Sequence, residues 1–131
     1  MRIDYQKKIS KKGKPQSIEG AHNIWRQSNE PLDAIFRPKS IAVIGASEKP
    51  RSVGLALASN LIRDSFKGAV YFINPKHPSI LGVKTHPSVA EVPEAIDLAV
   101  IPTPAQTVPG VVRECVDKGA KGAVIISAGF K

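Results

Sequence analysis

Cysteine is nearly absent from this chain. Cys115 stands alone among 131 residues, which excludes an internal disulfide. A reducing, cytoplasmic setting is therefore the expected one. No run of eighteen or more apolar residues occurs, so no membrane span is expected. The basic N-terminus lacks the apolar stretch and small-residue cleavage site of a secretory signal. No internal repeat is present, and no metal is expected. Aromatic residues make up only 5% of the chain, and 11 acidic residues face 19 Lys and Arg.

The resulting charge of +8 is unevenly spread. Residues 1–30 carry half of it, with Lys7, Lys8, Lys11, Lys12 and Lys14 in a dense run. We read 1–30 as a basic, poorly ordered leader in which Trp25 is the exception, and 31–131 as the folded domain. No aromatic residues interleave with the lysines, so nucleic acid is not an expected partner.

From Pro31 onward the pattern becomes periodic. Pro31–Phe36 reads as a short helix with Leu32, Ile35 and Phe36 on one face, closed by Pro38. Ser40–Gly45 is an apolar run of strand type. Ser52 is placed to cap a helix over Val53–Phe66, with Gly68 as its stop. Ala69–Ile73 is a second buried strand, and Gly82–Lys84 a short edge strand. Ser88 caps a turn through Glu91. Asp97–Ile101 is another strand, followed by a helix over Thr107–Lys118 with Pro109 in its first turn and Gly119 beyond its end. Val108, Val111 or Val112, Cys115 and Val116 form its inner face. Lys121–Ile126 is the last strand. Strands alternating with helices, and apolar on both faces, imply a Rossmann-like α/β domain. It is an open parallel sheet of about five strands with helices on both faces.

In such sheets ligands bind beyond the carboxyl ends of the strands. Here those ends are Gly45-Ala46-Ser47, Asn74-Pro75-Lys76, Pro102-Thr103-Pro104 and Ser127-Ala128-Gly129. Small residues admit a ligand close to the backbone. The first loop does not fit the dinucleotide fingerprint, because Ser47 replaces the second glycine and Gly54 comes late. An NAD site also wants an acid at the second strand's end, where this chain has Asn74-Pro75-Lys76. A lysine there attracts a phosphate on the ribose, which leaves NADP or a 3′-phosphorylated adenosine. Lys49 and Arg51 add cations suited to a diphosphate.

These residues carry a family resemblance. Phe36–Ser47, Ile73–Lys76, Asp97–Pro102 and Ile125–Phe130 stand in the order and spacing of the N-terminal CoA-binding domain of ADP-forming acyl-CoA synthetases. That domain is shared with the related acyltransferases and the succinyl-CoA synthetase alpha subunit. The resemblance implies coenzyme A or acyl-CoA as ligand. Gly45, Ala46, Ser47, Lys49, Arg51 and Gly54 would face its phosphates. Asn74, Pro75 and Lys76 would lie near the adenosine and its 3′-phosphate. Val100, Ile101 and Pro102 would pack along the adenine or pantetheine arm, and Ser127, Ala128 and Gly129 near the thiol arm.

The resemblance also implies further domains of the same polypeptide, or a partner subunit, because the phosphohistidine and nucleotide-grasp machinery of that family lies elsewhere. No catalytic residue is assigned. His22 falls in the leader, and His77 and His86 in loops, with His77 close enough to Lys76 to touch a ligand. Cys115 is read as core. A homo-oligomer formed through an uncovered face is also in view. Two rival readings stay open: an NADP-binding domain of an oxidoreductase, and a non-catalytic CoA-binding regulatory module.

Overall fold

A computed structural model describes residues 32–64 and 66–129. The readings placed on the leader, Trp25, His22 and Pro31 lie outside the described residues. The described residues form α1 (Asp33–Phe36), β1 (Ser40–Ile44), α2 (Val53–Arg63), β2 (Ala69–Ile73), β3 (Ser79–Ile80), β4 (Val83–His86), β5 (Leu98–Ile101), α3 (Val108–Asp117) and β6 (Gly122–Ile125). A single 3₁₀ turn spans Val89–Glu91.

The six strands form one sheet in the order β3-β4-β2-β1-β5-β6. All neighbours are parallel except β3 and β4, which form an antiparallel hairpin. The expected count of about five strands therefore gains one. The added strand is only two residues long, too short to leave a periodic signal. Its hairpin turns through Leu81 and Gly82, both in the left-handed region at φ 50° and 78°. Glycine enters that region freely, whereas leucine does so at a cost.

The central strands β1 and β5 are buried along their whole length, as a parallel sheet covered on both faces demands. Their alternation splits the core in two. Ile41, Val43, Leu98 and Val100 face α2 through Ala58 and Leu61, with Ile35 of α1 packed alongside. Ala42, Ile44, Ala99 and Ile101 face α3 through Val108 and Cys115. Phe72 is fully buried in the first cluster.

Several local expectations are corrected. Ser52 caps α2 as read, its hydroxyl accepting from Leu55 N at 3.1 Å. The helix nevertheless ends at Arg63, before Phe66, whose ring packs on the core beside β2. Gly68 is no helix stop: a Cβ there would lie 2.2 Å from the Lys39 carbonyl oxygen, so it is required by close approach. Gly119 does end α3, at φ 81°. Val116 is 68% exposed rather than inward, and Leu32 and Phe36 also point to solvent, leaving Ile35 as the inward residue of α1. The Ser88 side chain makes no capping bond.

Asp97 precedes β5 rather than opening it, and it ties the amino ends of three strands together. Its carboxylate accepts from Lys39 N at 2.8 Å and pairs with Lys121 Nζ at 2.7 Å. Its own N–H donates to Ser40 Oγ at 2.9 Å. The Lys121 contact, and then the Lys39 N–H, hold its carboxyl below the usual carboxylate range. A depressed carboxyl stabilises the fold above its ordinary value, near about pH 4, and that contribution is lost as pH falls through the depressed value. Asp97→Ala is expected to lower stability at pH 7 by about 2 kcal/mol. Denaturant melts should show the gap from the parent chain closing at low pH.

Candidate functional site

The carboxyl ends of β2, β1, β5 and β6 share one rim, because these strands run parallel. Chain leaves β1 toward α2 on one face and β5 toward α3 on the other. That divergence marks the topological switch point between the β1 and β5 loops, the place where sheets of this type bind ligands.

Gly45 begins the first loop at φ 99°, and its N–H donates to Ile73 O at 2.9 Å. A Cβ on Gly45 would stand 2.9 Å from Thr103 Cγ2 of the β5 loop. A Cβ on Gly54, in the first turn of α2, would stand 2.3 Å from the Gly45 carbonyl oxygen. Gly54 is thus the glycine that lets the helix start sit directly on the strand end. The late spacing that spoiled the sequence fingerprint conceals the same packing need. Ala46 is fully buried beneath the loop. Ser47 Oγ accepts from Lys49 N at 3.0 Å, and Arg51 is held in the left-handed region at φ 63°.

Asn74 ties the second strand end to the first loop. Its Nδ2 donates to Ala46 O at 2.9 Å. Its Oδ1 accepts from Lys76 N at 2.8 Å and from His77 N at 3.2 Å. The side chain is therefore spent on building the rim. Pro75 and Lys76 are exposed on the resulting turn.

A cavity of about 240 Å³ lies between these loops, lined by Ser47, Glu48, Lys49, His77 and Ile80. Glu48 accepts from Leu81 N at 2.6 Å, at the tip of the β3–β4 hairpin. Among the described residues the ion pairs comprise Lys121–Asp97 alone, so no described carboxylate engages Lys49, Arg51 or Lys76. The rim keeps an excess of positive charge that suits an anion.

The remaining predicted residues divide. Val100 and Ile101 are buried in the two opposite cores, and Pro102 is half-buried at the rim. Ser127 is half-buried, while Ala128 and Gly129 are exposed, with Gly129 at φ 94°. The Ser127 and Thr103 hydroxyls are buried without a hydrogen-bond partner, one beyond β6 and one beyond β5. Buried hydroxyls are normally satisfied, so both call for a bound group or water. The sequence motifs assign no site role to Glu48 or Ile80, and they include Thr103 only as part of a strand end. Glu48 gains its fixed place through the hairpin bond to Leu81, and Thr103 stands where a Cβ on Gly45 would meet it.

Comparison with known proteins bears on the family and the fold. A family profile described as "CoA binding domain" matches residues 39–131. Acetate–CoA ligase (ADP-forming) of Methanocaldococcus jannaschii is 50% identical over 107 residues, covering 82% of this chain and 15% of that protein. Acetate–CoA ligase (ADP-forming) I of Archaeoglobus fulgidus is 49% identical over 100 residues, covering 76% and 14%. Among solved structures, the dinucleotide-forming acetyl-coenzyme A synthetase 1 of Ca. Korarchaeum cryptofilum, in complex with phosphate and ADP, superimposes with TM-score 0.72. It is 43% identical, covering 76% of this chain and 21% of that one. The chain thus spans about one seventh of the length of these two curated ligases. With the fold and the matched residues in agreement, this chain belongs to the CoA-binding domain family.

Proposed function

We propose that this chain binds coenzyme A or acyl-CoA as the N-terminal module of an ADP-forming acyl-CoA synthetase or a related acyltransferase. The parent reaction would interconvert a carboxylate, ATP and CoA with acyl-CoA, ADP and phosphate. The observation that carries the reading is the β1 loop. Gly45 and Gly54 bring backbone to the switch point while Lys49 and Arg51 stand beside it without a described carboxylate partner.

In this reading the Gly45–Ser47 backbone and the start of α2 receive the diphosphate, with Lys49 and Arg51 as counter-charges. Asn74 holds the adenosine side of the rim, Pro75 and Lys76 border the 3′-phosphate, and Pro102 borders the arm. The Ser127 hydroxyl, with Ala128 and Gly129, meets the thiol arm. Catalysis would belong to further domains or a partner subunit, in a cytoplasmic setting. Val116, Ile125 and Ile126 are exposed beside the outer strand β6, which supports a covering neighbour on that side.

Thermal shift tests the reading. Coenzyme A at a hundredfold excess over its Kd should add about 2.7 kcal/mol to stability. 3′-Dephospho-coenzyme A at the same concentration should add less. Equal shifts would remove Lys76 from its role, and no shift with either would remove the ligand.

A further inference from the structure

We propose that His77 supplies the close contact to the 3′-phosphate of a CoA-type nucleotide and so sets the preference for the phosphorylated ligand. This role rests on the coenzyme A reading above. Sequence position favours Lys76 for that phosphate, because it ends the second strand's motif. Both residues are exposed, but His77 lines the cavity together with Lys49, and Lys76 does not.

The backbone of His77 is fixed at both of its polar groups. Its N–H donates to Asn74 Oδ1 at 3.2 Å, and its carbonyl accepts from Thr85 Oγ1. Thr85 is itself buried and bonded through its N–H to Pro78 O at 3.0 Å. The imidazole therefore projects from an anchored Cα, and little backbone freedom remains to be lost when it meets a ligand.

The charge of the cavity explains why a second donor is needed. Glu48 also lines the cavity, held by its bond to Leu81 N. Its carboxylate opposes an incoming phosphate and offsets Lys49. An imidazole N–H in the same lining turns it back toward an anion. The cavity of about 240 Å³ falls short of the roughly 300–1,000 Å³ that enclose a whole drug-sized ligand. It suits one end of a long ligand, such as a phosphorylated ribose.

Calorimetric titration of the parent chain and of His77→Ala, His77→Lys and Lys76→Ala, each against coenzyme A and 3′-dephospho-coenzyme A, tests the assignment. The parent chain should prefer coenzyme A. His77→Ala should weaken coenzyme A about fivefold and leave the dephospho form within twofold, as expected for the loss of one hydrogen-bond donor. His77→Lys should restore the preference. Equal weakening of both ligands by His77→Ala would overturn the assignment, and so would a preference lost in Lys76→Ala alone. A parent chain that binds both ligands equally would overturn it too, while leaving the coenzyme A reading intact. Failure of the parent chain to bind either ligand would instead defeat the coenzyme A reading itself.

Discussion

Gly54→Ala should cost about 3 kcal/mol of stability and remove coenzyme A binding with it. The added methyl would stand 2.3 Å from the Gly45 carbonyl oxygen and 3.3 Å from Ser47 N. Both obstacles are backbone, so no side chain can rotate away. Either α2 lifts from the strand end or the first loop is displaced. Lifting α2 disturbs the packing of Ala58, which is fully buried against Val43 and Phe72. For a domain of about 100 residues, 3 kcal/mol corresponds to a fall in Tm of roughly 15 °C. Thermal unfolding followed by circular dichroism gives the number. A variant within a few degrees of the parent chain would show that the helix start and the loop move apart freely. The rim would then owe its shape to something else.

The second large effect falls on Asn74. Asn74→Ala removes one donor and one acceptor that serve three backbone groups, Ala46 O, Lys76 N and His77 N. Ala46 is fully buried, so its carbonyl has the least access to replacement water. Loss of this bracket should cost about 2 kcal/mol. It should weaken coenzyme A at least tenfold, because the first loop and the second strand end lose their common tie. Asn74→Asp keeps an acceptor for the two N–H groups but loses the donor to Ala46 O. It should retain the turn and still lose the tie, with an added negative charge beside the cationic rim. Denaturant melts and titrations of the two variants separate these contributions. If both variants bind coenzyme A as the parent chain does, Asn74 does not organise the site.

The central strands were legible because burial on both faces leaves continuous apolar runs such as Ile41–Ile44 and Leu98–Ile101. The Ser52 cap and the Gly119 stop were legible because each rests on local backbone chemistry. The β3–β4 hairpin was not, since Ser79–Ile80 is too short for a period and its turn puts a leucine where glycine or asparagine is the usual signal. Gly68 and Gly54 were legible as glycines but not in their purpose. Each is dictated by a carbonyl brought near by tertiary packing, from Lys39 in one case and Gly45 in the other. In the site, the sequence motifs located the rim, while the tertiary turn decided which side chains line the cavity. The motif reads Asn74 as a neighbour of the ligand, and the structure adds that its side-chain amide ties three backbone groups of the rim. Val100 and Ile101 belong to the motif and are spent on the two cores.

The recognition of coenzyme A is tested most directly by isothermal titration of the whole chain with coenzyme A and, separately, with NADPH. The first loop and the Asn74-Pro75-Lys76 strand end predict one coenzyme A per chain and a clear preference over NADPH. Tighter binding of NADPH, or no heat with coenzyme A, would contradict it.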